Sequence, residues 1–280
     1  MGRPSACQTR RVNTASTRAP HLTVTGTMDA RPAYDAGGRL VPALAQIVRE
    51  GPARGPCALL LSGMALRYRI VARGARQIVG LGMPGDLLDL AGAFGGFNDH
   101  HVQALTPCTV LDVPREAVLH LIGADPLVAA ALWRQVLAEA AIGREWLASV
   151  GRRSAITRLT HLLCELRVRT GADLDANAGT LVLPMTQAQI SDVLGLTPVH
   201  INRLLRELEA RGLIRREIPV LHVDDWRRLE KAGDFCARYL HPRPTPLALL
   251  RDRLVAVLSG GEAPRCGFPA PLPAAAPPRD

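Results

Sequence analysis

The sequence predicts an α+β protein: an antiparallel β-roll, then one long helix, then a small domain of short helices and strands. Three observations predict it. Short β-type segments crowd residues 57–113, one apolar seam recurs along 125–150, and two short helices with complete capping signals flank Gly195.

A chain of 280 residues has room for one or two domains, and its 48% apolar content supplies a core. Only 4% of residues are aromatic, so aliphatic side chains must fill that core. No run of 18 uncharged apolar residues occurs, which excludes an ordinary membrane span. The N-terminus lacks the apolar stretch of a secretory signal, so the expected location is the cytoplasm, with no membrane partner. Six widely spaced cysteines form no C-x-x-C pair, and they read as buried thiols rather than metal ligands.

In chain order, residues 1–39 are polar and without a sustained period, and read as a disordered N-terminal extension. Residues 40–124 are expected to form the β-roll. Met64, Leu66, Tyr68, Ile70 and Ala72 alternate with Arg67 and Arg69, which predicts a strand with the two arginines on its other face. QIVGL (77–81), VQAL (102–105) and TVLDV (109–113) give further strands, and MPGD (83–86) breaks the chain between them.

The helix at 125–150 places Ala129, Trp133, Val136, Ala140, Gly143, Leu147 and Val150 at alternating steps of four and three. A 3.5-residue seam of this kind suits a coiled-coil contact, and its small residues allow close approach of a second backbone. A dimerisation helix is therefore expected; the alternative is a helix packed on its own domain. A break at Gly151 and an amphipathic helix over 153–169 follow.

Residues 184–223 carry the chemistry. Thr186 and Gln189 make a capping box that opens one helix, Gly195 turns the chain, and Thr197 caps a second helix with Pro198 at its first position. Ile201, Leu204, Leu205 and Leu208 face inward, leaving Val199, Asn202, Arg203 and Arg206 on one outward face. Gly212 stops the helix, and LIRRE and VLHV around Pro219 predict a two-stranded wing bearing Arg215 and Arg216. Arg pairs with guanine, Asn with adenine and Val with a thymine methyl, so this face fits the major groove of double-stranded DNA. Thr186, Gln187 and the helix start at Thr197 fit phosphate. His200 reads either as a DNA contact or as an exposed side chain. Arg203 is expected to read a base and Arg216 to meet phosphate. Charge agrees: 149–223 holds ten Arg against seven acids, the whole excess of the 40–241 region. The domain at 151–223 is thus a winged helix-turn-helix, followed by a C-terminal helix (224–241) and a Pro-rich tail (242–280) with a short helix around Leu247–Leu258.

MTQAQISDVLGLTPVHINRLLRELEARGLI resembles the DNA-binding domain of the Crp/Fnr family of bacterial transcription regulators. GREWLASVGRRSAITRLTHLLCELRVR resembles the family's dimer-helix exit and hinge, and SGMALRYRI, QIVGLGMPGD and ALTPCTVLDVPR resemble its cyclic-nucleotide-binding-type roll. The resemblance covers roughly 40–241. It implies a homodimer that binds a palindromic promoter site and regulates transcription by RNA polymerase. Three departures stand out. Leu90 occupies the place of the family's ribose-binding acid, and Asn98-Asp99 that of its phosphate-binding Arg-Ser pair. With no Arg expected near Asp99, cyclic nucleotides should not bind. The early strands of the roll look shortened.

His100-His101 beside Asp99 read as a solvated loop in preference to a metal or haem site, and no metal or cofactor is expected. No phosphate loop, nucleophile elbow or zinc-protease motif occurs, so no enzymatic activity is expected. The alternative function is a ligand- or protein-binding roll whose helical domain no longer binds an operator. The sequence leaves the effector open, and also whether the protein activates or represses.

Overall fold

The structure, a computed structural model, describes residues 38–171, 177–240 and Arg253. The expectations for the N-terminal extension and the Pro-rich tail lie outside these residues, apart from Arg253.

The roll starts with three short strands, β1 (Arg39–Val41), β2 (Gln46–Val48) and β3 (Gly51–Pro52), the shortened early strands foreseen from the sequence. β4 (Cys57–Ser62) turns at Gly63 (φ +83°) into β5 (Ala65–Ile70), which holds the alternating residues from Leu66 to Ile70. β6 (Arg76–Gly82), the one-turn helix α1 (Leu90–Gly95), β7 (Phe97–Asn98), β8 (His101–Ala104) and β9 (Cys108–Val113) complete it. β3 pairs with β7, and two sheets run β1-β9-β4 and β2-β8-β5-β6, all antiparallel. Between them Val41, Leu60, Ala65, Val102 and Val110 form a buried core.

Helix α2 (Arg115–Ala124), which the sequence reading missed, leads through Asp125 into α3 (Pro126–Arg152). Asp125 caps α3 by accepting from Leu127 N, and Pro126 takes the first helical position, where no N–H is needed. Val128, Ala131 and Leu132 of α3 pack with Leu59, Leu111, Val118 and Leu121. Gln135 fixes the register: its carboxamide bonds Leu87 N at 3.0 Å and Leu87 O at 2.9 Å.

Arg67 is buried on its side of β5 because α3 covers that side; its guanidinium meets Glu139 at 2.9 Å and Leu81 O at 3.2 Å. Two expectations need correcting here. The helix break falls at Arg153, two residues after Gly151, because Ser154 is the residue that caps the next helix, α4 (Ala155–Arg169). The C-terminal helix is shorter than 224–241: α7 (Trp226–Ala232) ends at Gly233, and a 3-10 turn, Ala237–Leu240, follows.

The last domain contains α4, β10 (Gly179–Val182), α5 (Gln187–Leu194), α6 (Pro198–Ala210), β11 (Arg215–Glu217), β12 (Val220–Val223) and α7. Its core joins Leu159, Leu163, Ile190, Ile201, Leu205, Leu221 and Trp226, and continues onto Leu66, Ile78 and Leu81 of the roll. Arg76 of β6 pairs with Asp192 of α5 at 2.7 Å, and Gln77 donates to Val193 O at 3.0 Å.

His161 of α4 ties the joint together. Its Nδ1 lies 3.0 Å from Gly233 O, its Nε2 lies 3.0 Å from Tyr239 Oη, and that hydroxyl donates to Glu165 at 2.8 Å. Trp146 of α3 donates to the same carboxylate at 2.8 Å. Burial, reinforced by the nearby Arg153 charge, holds the imidazole below the ordinary histidine range. Cys57, Cys108 and Cys164 are buried thiols and Cys236 is half-buried. Burial pushes Cys57 up to about 12 and Cys108 up to about 11, which leaves both inert as nucleophiles.

Candidate DNA-binding face and sensor cavity

Thr186 and Gln189 form the reciprocal capping box at the start of α5: Gln189 N donates to Thr186 Oγ1 at 3.2 Å, and Thr186 N donates to Gln189 Oε1 at 2.8 Å. Gly195 then adopts φ +64°, a left-handed conformation that a β-carbon disfavours, and the chain turns into α6. Thr197 Oγ1 accepts from His200 N at 3.2 Å, with Pro198 at the first helical position. Ile201, Leu204, Leu205 and Leu208 are all buried, each worth about 1.5–3 kcal/mol of apolar transfer. This anchoring decides which side of α6 faces outward.

Val199 stands 82% exposed, and Arg203 and Arg206 are also exposed. Arg203 lies one turn in from the capped start, its Nη2 3.0 Å from His200 Nε2. Asn202 is half-buried, and its Oδ1 is covered without a hydrogen-bond partner. Thr186 is exposed and Gln187 half-buried at the α5 start, on the approach to the same face.

The wing is three-stranded, order β10-β12-β11, where the sequence suggested two, because β10 arrives from forty residues earlier with no turn signal linking it to its partner. Its two arginines differ. Arg216 turns inward and is held by Glu209 of α6, both through its guanidinium and through its backbone N–H at 3.0 Å. Arg215 points outward at 68% exposure, lightly paired with the equally exposed Asp224. Arg215 is thus the more exposed of the two cations, and Arg216 the more firmly held within the domain.

The seam residues of α3 lie off its buried face. Trp133 is 67% and Leu147 74% exposed; Val136, Ala140, Gly143 and Val150 are exposed and Ala129 half-buried. Next to them opens a cavity of about 760 Å³ between β6, α1 and α3, walled by Val79, Leu88, Phe94, Leu132 and Trp133. Leu90, Asp99 and His100 reach it from the roll. Two arginines also reach it, contrary to the sequence reading: Arg67 and Arg169. Both are committed, Arg67 to Glu139 and Arg169 to the buried Glu165 at 2.8 Å. No local signal foretold them, since they lie about a hundred residues apart. His100 bonds Asp99 at 2.7 Å, while His101 stacks on Tyr68 with ring centroids 4.9 Å apart. Among the described residues no group of three or more His, Cys, Asp or Glu is placed to hold a metal, and no single helix is long and apolar enough to cross a membrane.

Comparison with known proteins agrees with this architecture. Residues 39–125 match the cyclic nucleotide-binding domain, and 157–232 match the Crp-like helix-turn-helix domain. The transcriptional activator protein FnrL of Cereibacter sphaeroides is 31% identical over 182 residues, covering 63% of this chain and 73% of that one. The nitrogen fixation regulation protein FixK of Azorhizobium caulinodans is 31% identical over 160 residues, 56% of this chain, and the match spans a little under two thirds, 62%, of its length. Among solved structures, FixK2 from Bradyrhizobium japonicum superposes with a TM-score of 0.62 at 25% identity, covering 70% of this chain and 96% of that one. A β-roll, a long helix and a winged helix-turn-helix together define a DNA-binding transcription regulator. The chain belongs to the Crp/Fnr family.

Proposed function

We propose that the protein works in the cytoplasm as a homodimer on a two-fold-symmetric promoter site, from which it contacts RNA polymerase. The carrying observation is the α3 seam, a line of apolar side chains led by Trp133 and Leu147 that no described element of the chain covers. A second copy of α3 supplies the matching surface and sets two reading heads side by side. Each α6 then enters one major groove, with half-sites about one helical turn, ~34 Å, apart. Arg203 reads a base, with Val199, His200, Asn202 and Arg206 beside it. Thr186, Gln187, Thr197 and Arg215 hold the flanking phosphates.

Competition binding on the protein's own upstream DNA, at two salt concentrations, tests this reading. Arg203→Ala should weaken binding by roughly 1–3 kcal/mol per half-site and relax preference at one base pair in each. Arg215→Ala should weaken all sequences alike and lower the salt slope by about one per site, whereas Arg216→Ala should leave the slope unchanged. An unaltered base preference in Arg203→Ala would overturn the orientation of α6.

A further inference from the structure

The reading head meets the rest of the chain both at the joint before α4 and along β6. At the joint, Trp146 of α3 donates to Glu165 of α4, and Arg153, at the end of α3, pairs with Asp234 at 3.1 Å. Along β6 the contact is broader. Arg76 Nε and Nη2 both lie 2.7 Å from Asp192 Oδ2 of α5. The same guanidinium is held from behind, by Gln103 at 3.2 Å and by the Tyr68 ring at 5.6 Å. Next to it Gln77 donates at 3.0 Å to Val193 O, one of the last carbonyls of α5, which lack partners within their own helix. Ile78 and Leu81 lie in one buried cluster with Ile190, Val193 and Leu194 of α5. Arg169, the last residue of α4, donates to Leu81 O at 3.5 Å.

These contacts run along about 17 Å of strand, from Arg76 to Leu81 at ~3.4 Å per residue. Attachment at the joint alone leaves the head able to turn; attachment along β6 opposes the turn. The size of the effect is set by a lever. α4 extends about 21 Å from the joint to Arg169, at 1.5 Å per residue. A turn of about 10° carries its far end about 4 Å, close to the ~3.4 Å between base pairs.

We propose that the seat of α5 on β6 sets the half-site spacing that the dimer reads, with Arg76 and Asp192 as the pair that determines it. The proposal rests on the homodimer reading above and adds that the roll selects spacing while α6 selects bases. Arg76 and Asp192 are positioning residues, acting through where they place α6. Two linked heads reinforce each other only where their separation matches both half-sites. A seated head keeps that separation narrow, and a released head tolerates neighbouring ones.

Selection by the parent protein from a pool of random duplexes supplies the probe, a two-fold duplex. It is then remade with one base pair added or removed at its centre. The parent should prefer the selected spacing by about a hundredfold. Arg76→Glu and Asp192→Arg each set like charges together and should narrow that preference to about tenfold or less. The ranking of half-site base variants should stay as in the parent. Arg76→Glu/Asp192→Arg restores an opposite pair and should recover the spacing preference; no recovery overturns the proposal. Gln77→Ala, which adds no charge, should give a smaller loss in the same direction. Lowered thermal stability with spacing preference intact assigns the contact a structural role only and overturns the proposal. So does a base ranking that changes together with the spacing. A pool that returns no two-fold duplex overturns the homodimer reading, and the spacing role falls with it.

Discussion

The reading head at 186–223 and the cavity beside α3 differ in how far apart in sequence their parts lie. The caps and the turn that start α6 come from within about fifteen residues: Thr186 with Gln189, the turn at Gly195, and Thr197 with His200. The cavity draws on Arg67, Leu88, Asp99, Trp133 and Arg169, a span of about a hundred residues. The head is thus defined by caps and a turn, and substitution of one residue there changes one contact. The cavity is defined by how α3 sits on the roll, through Gln135 on Leu87 and Arg67 with Glu139, so it changes as a whole when α3 moves.

The largest effect expected from this contrast comes from charging the seam. Val136→Glu with Ala140→Glu sets like charges across a two-fold contact of α3. Light scattering should show the mass halved, and operator affinity should fall by a hundredfold or more. The head's helical signal should persist, because its caps are local. An unchanged mass would show that the copies meet elsewhere.

A smaller effect comes from the joint between the two regions. The His161 pKa lies below its unfolded value of about 6.5, so the unfolded chain binds more protons as pH falls through that range. Stability from this site is complete above pH 6.5 and is lost as pH drops toward the lowered folded value, with a slope of at most ~1.4 kcal/mol per pH unit. Thermal unfolding between pH 7.5 and 5.5 should show the decline, and His161→Gln should flatten it. An equally steep decline in that variant would place the titrating group elsewhere.

The smallest expected effect is none at all. Cyclic AMP and cyclic GMP should produce no heat in calorimetry. Asp99 faces the cavity, and both of its guanidinium groups are already paired with carboxylates. Micromolar binding would show that Arg67 or Arg169 leaves its partner for phosphate.

Much of the head was legible because capping, turn chemistry and helical period act over three to five residues, distances that a sequence displays directly. The seam was legible for the same reason, since its 3.5-residue spacing lies within one helix. The burial of Arg67 was not legible, since alternation in β5 says which side a residue takes but not that α3 covers that side. The pairing of Arg216 with Glu209 was not legible because it forms only after α6 and the wing have packed. α2 and the strands of two or three residues carry too short a pattern to declare themselves.

By itself the sequence determined the α+β division, the capped α5–turn–α6 unit with its outward Val199 and Arg203, and the apolar stripe on α3. Only the tertiary structure decided the pairing of Arg67 and Arg169, the different settings of Arg215 and Arg216, the burial of His161 and the Asp125–Arg253 contact. The physical reason is the range of the forces. Backbone capping and periodicity are set by neighbours along the chain, whereas desolvation and ion pairing depend on groups that meet only when distant segments exclude water between them.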